Sequence, residues 1–194
     1  MWRLAIFVCA TAMIWLGYVQ FFAVLPVYAI DQPAAKWVGT IFAINAVIIV
    51  GMQGIVLRTL TTLLTDARRQ WVVYMASCCA MAFALVLLLS IRTDGWLLIF
   101  LAILILSGSE LLWSPLLDNW TATMFGRENL LGAFTITGLA WGGAEALASS
   151  FSIQIALGGV SGVPWYGAIL MAGVMVVLAA LLMRVIVKNP TASS

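Results

Sequence analysis

Seven acidic residues occur in this 194-residue chain, and two of them, Glu110 and Glu145, fall deep inside otherwise apolar stretches. A charged side chain at the centre of a bilayer costs roughly 2.5–3.5 kcal/mol on an insertion scale. Such a carboxyl must face protein or water, be paired, or carry a proton, so it can move a proton or meet a cation. The polar residues around each keep helical spacing. Ser107, Glu110, Ser114 and Asp118 follow at intervals of 3, 4 and 4, and Thr135, Gly138, Gly142, Glu145, Ser149 and Ser152 at 3, 4, 3, 4 and 3. Each set therefore shares one face of a helix. On the second, the glycines and serines suit close helix packing, and the Gly138–Gly142 pair could also drive dimerisation. Pro115 cannot bond back to the carbonyl of Leu111, which predicts a kink, and a gating element, beside Glu110. Two roles are open for Glu110: proton coupling, or a structural ion pair with Arg127 or Arg58. Asp118 reads as a solvated end residue.

Other chemistries are poorly served. The chain has no histidine, which excludes His-based triads, His metal sites and His proton transfer. Asp31, Asp66, Asp94 and Asp118 sit at or beyond the ends of the apolar stretches, with no pair placed for hydrolysis within them. No glycine loop followed by Lys and Ser or Thr is present to cradle a nucleotide phosphate. An enzyme, an ATP-driven pump, a metal or a cofactor is not expected. Cys9, Cys78 and Cys79 all lie in apolar sequence, are odd in number and include an adjacent pair, so they read as free thiols packed like small hydrophobes.

The elements that hold these residues are six apolar blocks, at residues 4–29, 37–57, 71–91, 96–117, 131–153 and 165–187. At about 1.5 Å of rise per residue, each can cross a hydrocarbon layer of about 30 Å as a helix. Hydrophobic residues make up 64% of the chain and charged residues 8%, too apolar for a soluble domain of this size to hide. The first block reads as a spanning helix and not a cleaved leader, because its apolar run continues to Ala29. Basic residues alternate between the gaps: Arg3, Arg58, Arg68, Arg69, Arg127, Arg184 and Lys188 on one side, Lys36 and Arg92 on the other. The positive-inside rule then places both termini in the cytoplasm, in a cell inner (plasma) membrane. The net charge of +2 is accounted for by this topology and gives no reason to expect nucleic acid. Arg68-Arg69 is an anchor or a lipid-headgroup site. Trp2, Trp37, Trp71, Trp96, Trp120 and Trp165 mark block ends, whereas Trp15, Trp113 and Trp141 lie well inside blocks and are candidates for another role.

Polarity along the blocks runs polar, polar, bland, polar, polar, bland. Thr11, Tyr18 and Gln20 lie in the first, Asn45 and Gln53 in the second, and the two acidic stripes in the fourth and fifth, while the third and sixth are nearly featureless. Units of three crossings must have opposite orientation, which predicts an inverted three-plus-three repeat within an all-α, six-helix membrane domain.

Phe42-Ala43-Ile44-Asn45 with Gln53 eight residues on resembles helix 8 of major facilitator superfamily transporters, particularly the drug/proton antiporter branch. Ser109-Glu110 with Pro115, a short loop and Leu131-Gly132 resembles helices 10 and 11, and the segment ending in Leu25-Pro26 resembles helix 7. Nearly the whole chain is covered, as the C-terminal half of such a transporter. Glu145 has no counterpart in that pattern. The resemblance implies that helices 1 and 4 line a cavity, 2 and 5 flank it, and 3 and 6 lie outside. Trp15, Tyr18, Phe22, Asn45, Gln53, Trp113 and Trp141 are the cavity candidates, Glu110 and Glu145 the proton-coupling candidates, and Pro115 the gating kink. The expected activity is proton-coupled transport of a small organic compound, amphipathic or cationic. It requires a second six-helix half, either a separate chain, another copy, or the missing part of a truncated gene. The alternatives are a non-transporting assembly or regulatory partner and an inactive transporter fragment.

Overall fold

The computed structural model describes residues 2–29, 33–63, 66–88, 96–125, 129–156 and 165–187. Among them the chain is all-helical: α1 (Trp2–Ala29), a short 3-10 turn (Pro33–Trp37), α2 (Val38–Leu63), α3 (Ala67–Leu87), α4 (Trp96–Phe125), α5 (Leu130–Ala156) and α6 (Trp165–Val187). Five of these helices are long and apolar enough to cross a membrane, and α6 adds a described apolar stretch at Ile169–Val185.

Several helices outrun the apolar blocks. The α2 helix continues past Arg58 to Leu63, and α4 past Asp118 to Phe125. A charged side chain does not interrupt the backbone ladder; its polar tip reaches out along the helix surface instead. The start of α3 is fixed by Asp66, whose carboxylate accepts from the Arg68 backbone N–H at 3.0 Å and so satisfies one of the unpaired donors of the first turn. Of the residues used above to set sidedness, Arg92, Arg127 and Lys188 lie outside the described residues, as do Asp31 and Asp94; so does Ser90 of the third block.

Cross-chain contacts fix the helix directions. Near the starts of α2 and α4, Trp37 stacks on Trp96 with ring centroids 6.4 Å apart. At the opposite end, the Trp120 indole donates to Gln70 Oε1 at 2.7 Å, Trp71 donates to the Ala180 carbonyl at 3.2 Å, and the Arg184 guanidinium lies over the Trp71 ring at 4.8 Å. These tie the start of α3 to the ends of α4 and α6. Trp120, expected as a headgroup anchor, is instead buried at 6% exposure, because its ring packs on Tyr74 and its N–H has a partner inside the bundle. Arg58, Arg68, Arg69 and Arg184 all gather at this end, called the basic end below.

The centre belongs to α1 and α4. The α1 helix packs along α5 and α6, while α4 packs along α3 and α2, and α3 and α6 join the two groups. At the α1–α6 crossing Gly17 lets the backbones approach so closely that an added Cβ would overlap Val176 Cγ2. The bland helices keep one outward face each, Val72, Ala76, Cys79, Phe83 and Val86 on α3 and Leu170, Val174, Leu178, Leu181 and Val185 on α6. Both faces are wholly apolar and suited to lipid. Yet α3 and α6 are more deeply packed than α2 and α5, which lean on the centre with one side only.

Candidate functional site

The site is built where α1, α2 and α4 meet. Tyr18 projects from α1 and donates its hydroxyl to Glu110 Oε2 on α4 at 2.5 Å. Asn45 of α2 lies beside the Tyr18 hydroxyl. With the phenol proton directed at Glu110, only the Asn45 amide can donate between the two. That leaves Asn45 Oδ1 to accept from Ser107, whose hydroxyl lies 2.6 Å from it and 2.7 Å from the Ile103 carbonyl. Two bonds, Tyr18–Glu110 and Ser107–Asn45, thus tie α1 and α2 to α4 within one polar cluster. Tyr18, Asn45 and Ser107 are buried, and Glu110 half-buried.

Among the described residues, the hydrogen-bond partner of Glu110 is a neutral phenol and not an arginine. Of the two arginines considered for an ion pair, Arg127 lies outside the described residues. Removing the Tyr18 hydroxyl should leave Glu110 without this partner. The variant Tyr18→Phe is expected to lose about 1–3 kcal/mol, the usual cost of leaving a buried polar group unsatisfied. Thermal unfolding in detergent checks this, and an unchanged melting temperature would mean that the bond contributes nothing.

Toward the basic end the network meets aromatic rings. Trp15 of α1 stands edge-on to Trp113 of α4 at 4.9 Å and tilted to Trp141 of α5 at 5.4 Å. Tyr18 touches both Trp15 and Trp113, at 5.5 and 6.0 Å. On its other side Tyr18 continues to Phe22 at 5.0 Å, and Phe22 to Phe42 of α2 at 5.1 Å. A cavity of about 200 Å³ opens beneath the indoles. From α1 it is lined by Thr11 and Trp15; from α4 by Trp113, Ser114, Leu117, Asp118 and Thr121; from α5 by Phe134, Thr137, Gly138 and Trp141. A second, open groove between α1 and α5 is walled only by apolar residues such as Val8, Ala12 and Ile136, and by Cys9.

Seven of the expected residues are therefore brought together: Trp15, Tyr18, Phe22, Asn45, Glu110, Trp113 and Trp141. Pro115 lies half-buried within α4, which runs unbroken past it, between Glu110 and Asp118. Two residues stand apart. Gln53 is exposed on α2. At 3.6 residues per turn, eight residues carry it about 80° round the helix from Asn45, away from the bundle. Glu145 is also exposed and makes no hydrogen bond or ion pair among the described residues, which corrects its expected inward placement. The reason is that α5 meets α1 through its alanines: Ala133, Ala144 and Ala148 are buried. Thr135, Gly142 and Glu145 lie off that seam and are exposed, Gly138 opens onto the cavity, and neither glycine has a neighbouring atom within 4 Å of an added Cβ.

Asp118, expected as a solvated end residue, is exposed and also borders the cavity. Thr121 and Thr137 had no expected role, although Thr121 continues the α4 stripe of Ser107, Glu110, Ser114 and Asp118 by another step of three. The chain finds no match among protein-family models, curated proteins or solved structures.

Proposed function

We propose that this chain is one six-helix half of a proton-coupled secondary carrier of the major facilitator type, moving a small organic compound that is amphipathic or cationic. The observation that carries the reading is Glu110, a carboxyl in mid-helix whose partner is the Tyr18 hydroxyl, and the Tyr18 ring in turn meets two of the three tryptophans that wall the cavity. A fixed counter-charge would hold such a group permanently ionised. A phenol can serve as donor to the carboxylate, or as acceptor from the protonated acid, so the group can change protonation state during a cycle. Indole faces supply area and cation–π attraction for the passenger.

On this reading the domain is an inverted three-plus-three repeat in a plasma or inner membrane, with the basic end and both termini cytoplasmic. A second six-helix unit of like architecture covers the outward faces of α2 and α5. Support comes from their character: Gly51, Gly54 and Gly142 all have open space around them, and Glu145 stands exposed on α5 at a depth where lipid is a poor solvent for a carboxylate. The same faces favour one other reading, a membrane assembly partner that transports nothing.

Vesicles containing the purified chain, with a pH dye inside, separate the two. A carrier moves protons across the vesicle wall when phenethylammonium is added on one side. No proton movement by the chain, alone or with a second six-helix unit, would leave only the partner reading.

A further inference from the structure

We propose that the cavity at the basic end is a binding site for a small organic ammonium ion, with Asp118 as its counter-charge and the indoles of Trp15, Trp113 and Trp141 as its walls. This deepens the carrier reading and rests on it for biological use, but it assigns recognition to a carboxylate other than Glu110. The first observation is composition: among the described residues, the cavity lining has three indoles, one carboxylate and no basic residue. A cation gains from each of these, and an anion from none.

The second observation is independent of charge. Thr11 Oγ1 and the Trp113 indole N–H are buried, and neither has a hydrogen-bond partner among the described residues. Both residues line the cavity. Thr59, Thr121, Thr135 and Thr137 each return their hydroxyl to the carbonyl four residues back, and Thr11 does not. Buried polar atoms left unpaired are costly and call for a partner that is not protein. An indole N–H can only donate, and a hydroxyl can do so, so the missing partner carries an acceptor atom.

Placement sets the size. Asp118 is exposed at the rim, whereas Trp113 is fully buried. Five residues of helix separate them, roughly 7.5 Å at about 1.5 Å per residue. A volume of about 200 Å³ equals roughly seven waters at about 30 Å³ each. A compound of one ring, with an ammonium at one end and an oxygen at the other, meets all three limits.

Three probes test the charge and the acceptor separately: tyramine, phenethylammonium, which lacks the oxygen, and 4-(2-hydroxyethyl)phenol, which lacks the ammonium. Binding is measured by calorimetry and tryptophan fluorescence on the full chain in lipid nanodiscs, with no gradient present. Tyramine is expected to bind at least tenfold more tightly than either relative. Asp118→Asn should abolish its advantage over the neutral phenol, with that phenol's own binding retained as evidence of folding. Thr11→Val should remove the advantage over phenethylammonium only.

Equal binding of the three probes, or no binding at millimolar concentration, overturns the proposal. So does a charge preference that survives Asp118→Asn and disappears in Glu110→Gln. Binding without any transport would preserve this site and remove the carrier. Proton-coupled transport unaffected by Asp118→Asn would do the reverse.

Discussion

On the carrier reading, Glu110→Gln is expected to abolish accumulation driven by a pH gradient. The amide keeps the size of the side chain and still accepts from the Tyr18 hydroxyl, so the contact that joins α1 to α4 survives. What it loses is the capacity to take up and release a proton. For one-to-one exchange, a gradient of one pH unit is worth about 1.4 kcal/mol and supports up to about tenfold accumulation. In vesicles holding Glu110→Gln that ratio falls to one. Glu145→Gln, altered on the outward face, keeps it. Accumulation undiminished in Glu110→Gln would remove this carboxyl from the coupling mechanism. Loss in Glu145→Gln alone would move the mechanism to the surface facing a partner.

Gly17→Leu unfolds the centre of the bundle. Even a methyl group at this position overlaps Val176 Cγ2, and Ala172 contributes a carbonyl 3.5 Å from the same point. Four extra carbons have nowhere to go unless α1 and α6 part. Overpacking typically costs about 1–3 kcal/mol, occasionally more, and a fully blocked helix crossing belongs at or above the top of that range. Gly17→Ala is the gentler version. Its gain in helix propensity, about 1 kcal/mol, offsets part of the clash. Trimming the partner with Val176→Ala should restore most of the loss, so the two changes are strongly non-additive. Gly142→Ala, made where no atom lies within 4 Å, shows only the propensity gain. Thermal unfolding of the four variants in detergent gives the comparison. Equal melting of Gly17→Ala and Gly142→Ala would mean that the crossing is looser than described here.

Which segments are helices was plain in the sequence, because apolar runs of membrane length leave little else for the backbone to do. Where they end was not. Arg58 and Asp118 look like boundaries, but α2 and α4 pass both, since the ladder depends on the backbone and not on the charge. The α5 helix shows a different limit. It carries two small-residue faces, one of alanines and one of glycines with Glu145, and either could pack. Only the shape of α1 decides between them, and that is tertiary information. Tyr18 and Glu110 were legible singly as odd residues in apolar sequence. Their pairing spans 92 positions, and no local spacing announces it. Gln53 misled because it shares its helix with Asn45 but not its face. Asp118 is exposed, as its place on the helix suggested, but nothing in its own surroundings along the chain says that three tryptophans converge beside it.

The clamp of Trp71, Trp120, Gln70 and Arg184 bears on how the molecule can change shape. It rivets three of the six rods together at one rim, and the alanine seam binds α5 to α1 just as firmly along its length. The boundary between α4 and α5 is far more thinly joined, and the tryptophan-walled chamber lies on it. On the carrier reading, an opening into the chamber would therefore part α4 from α5, beside Asp118.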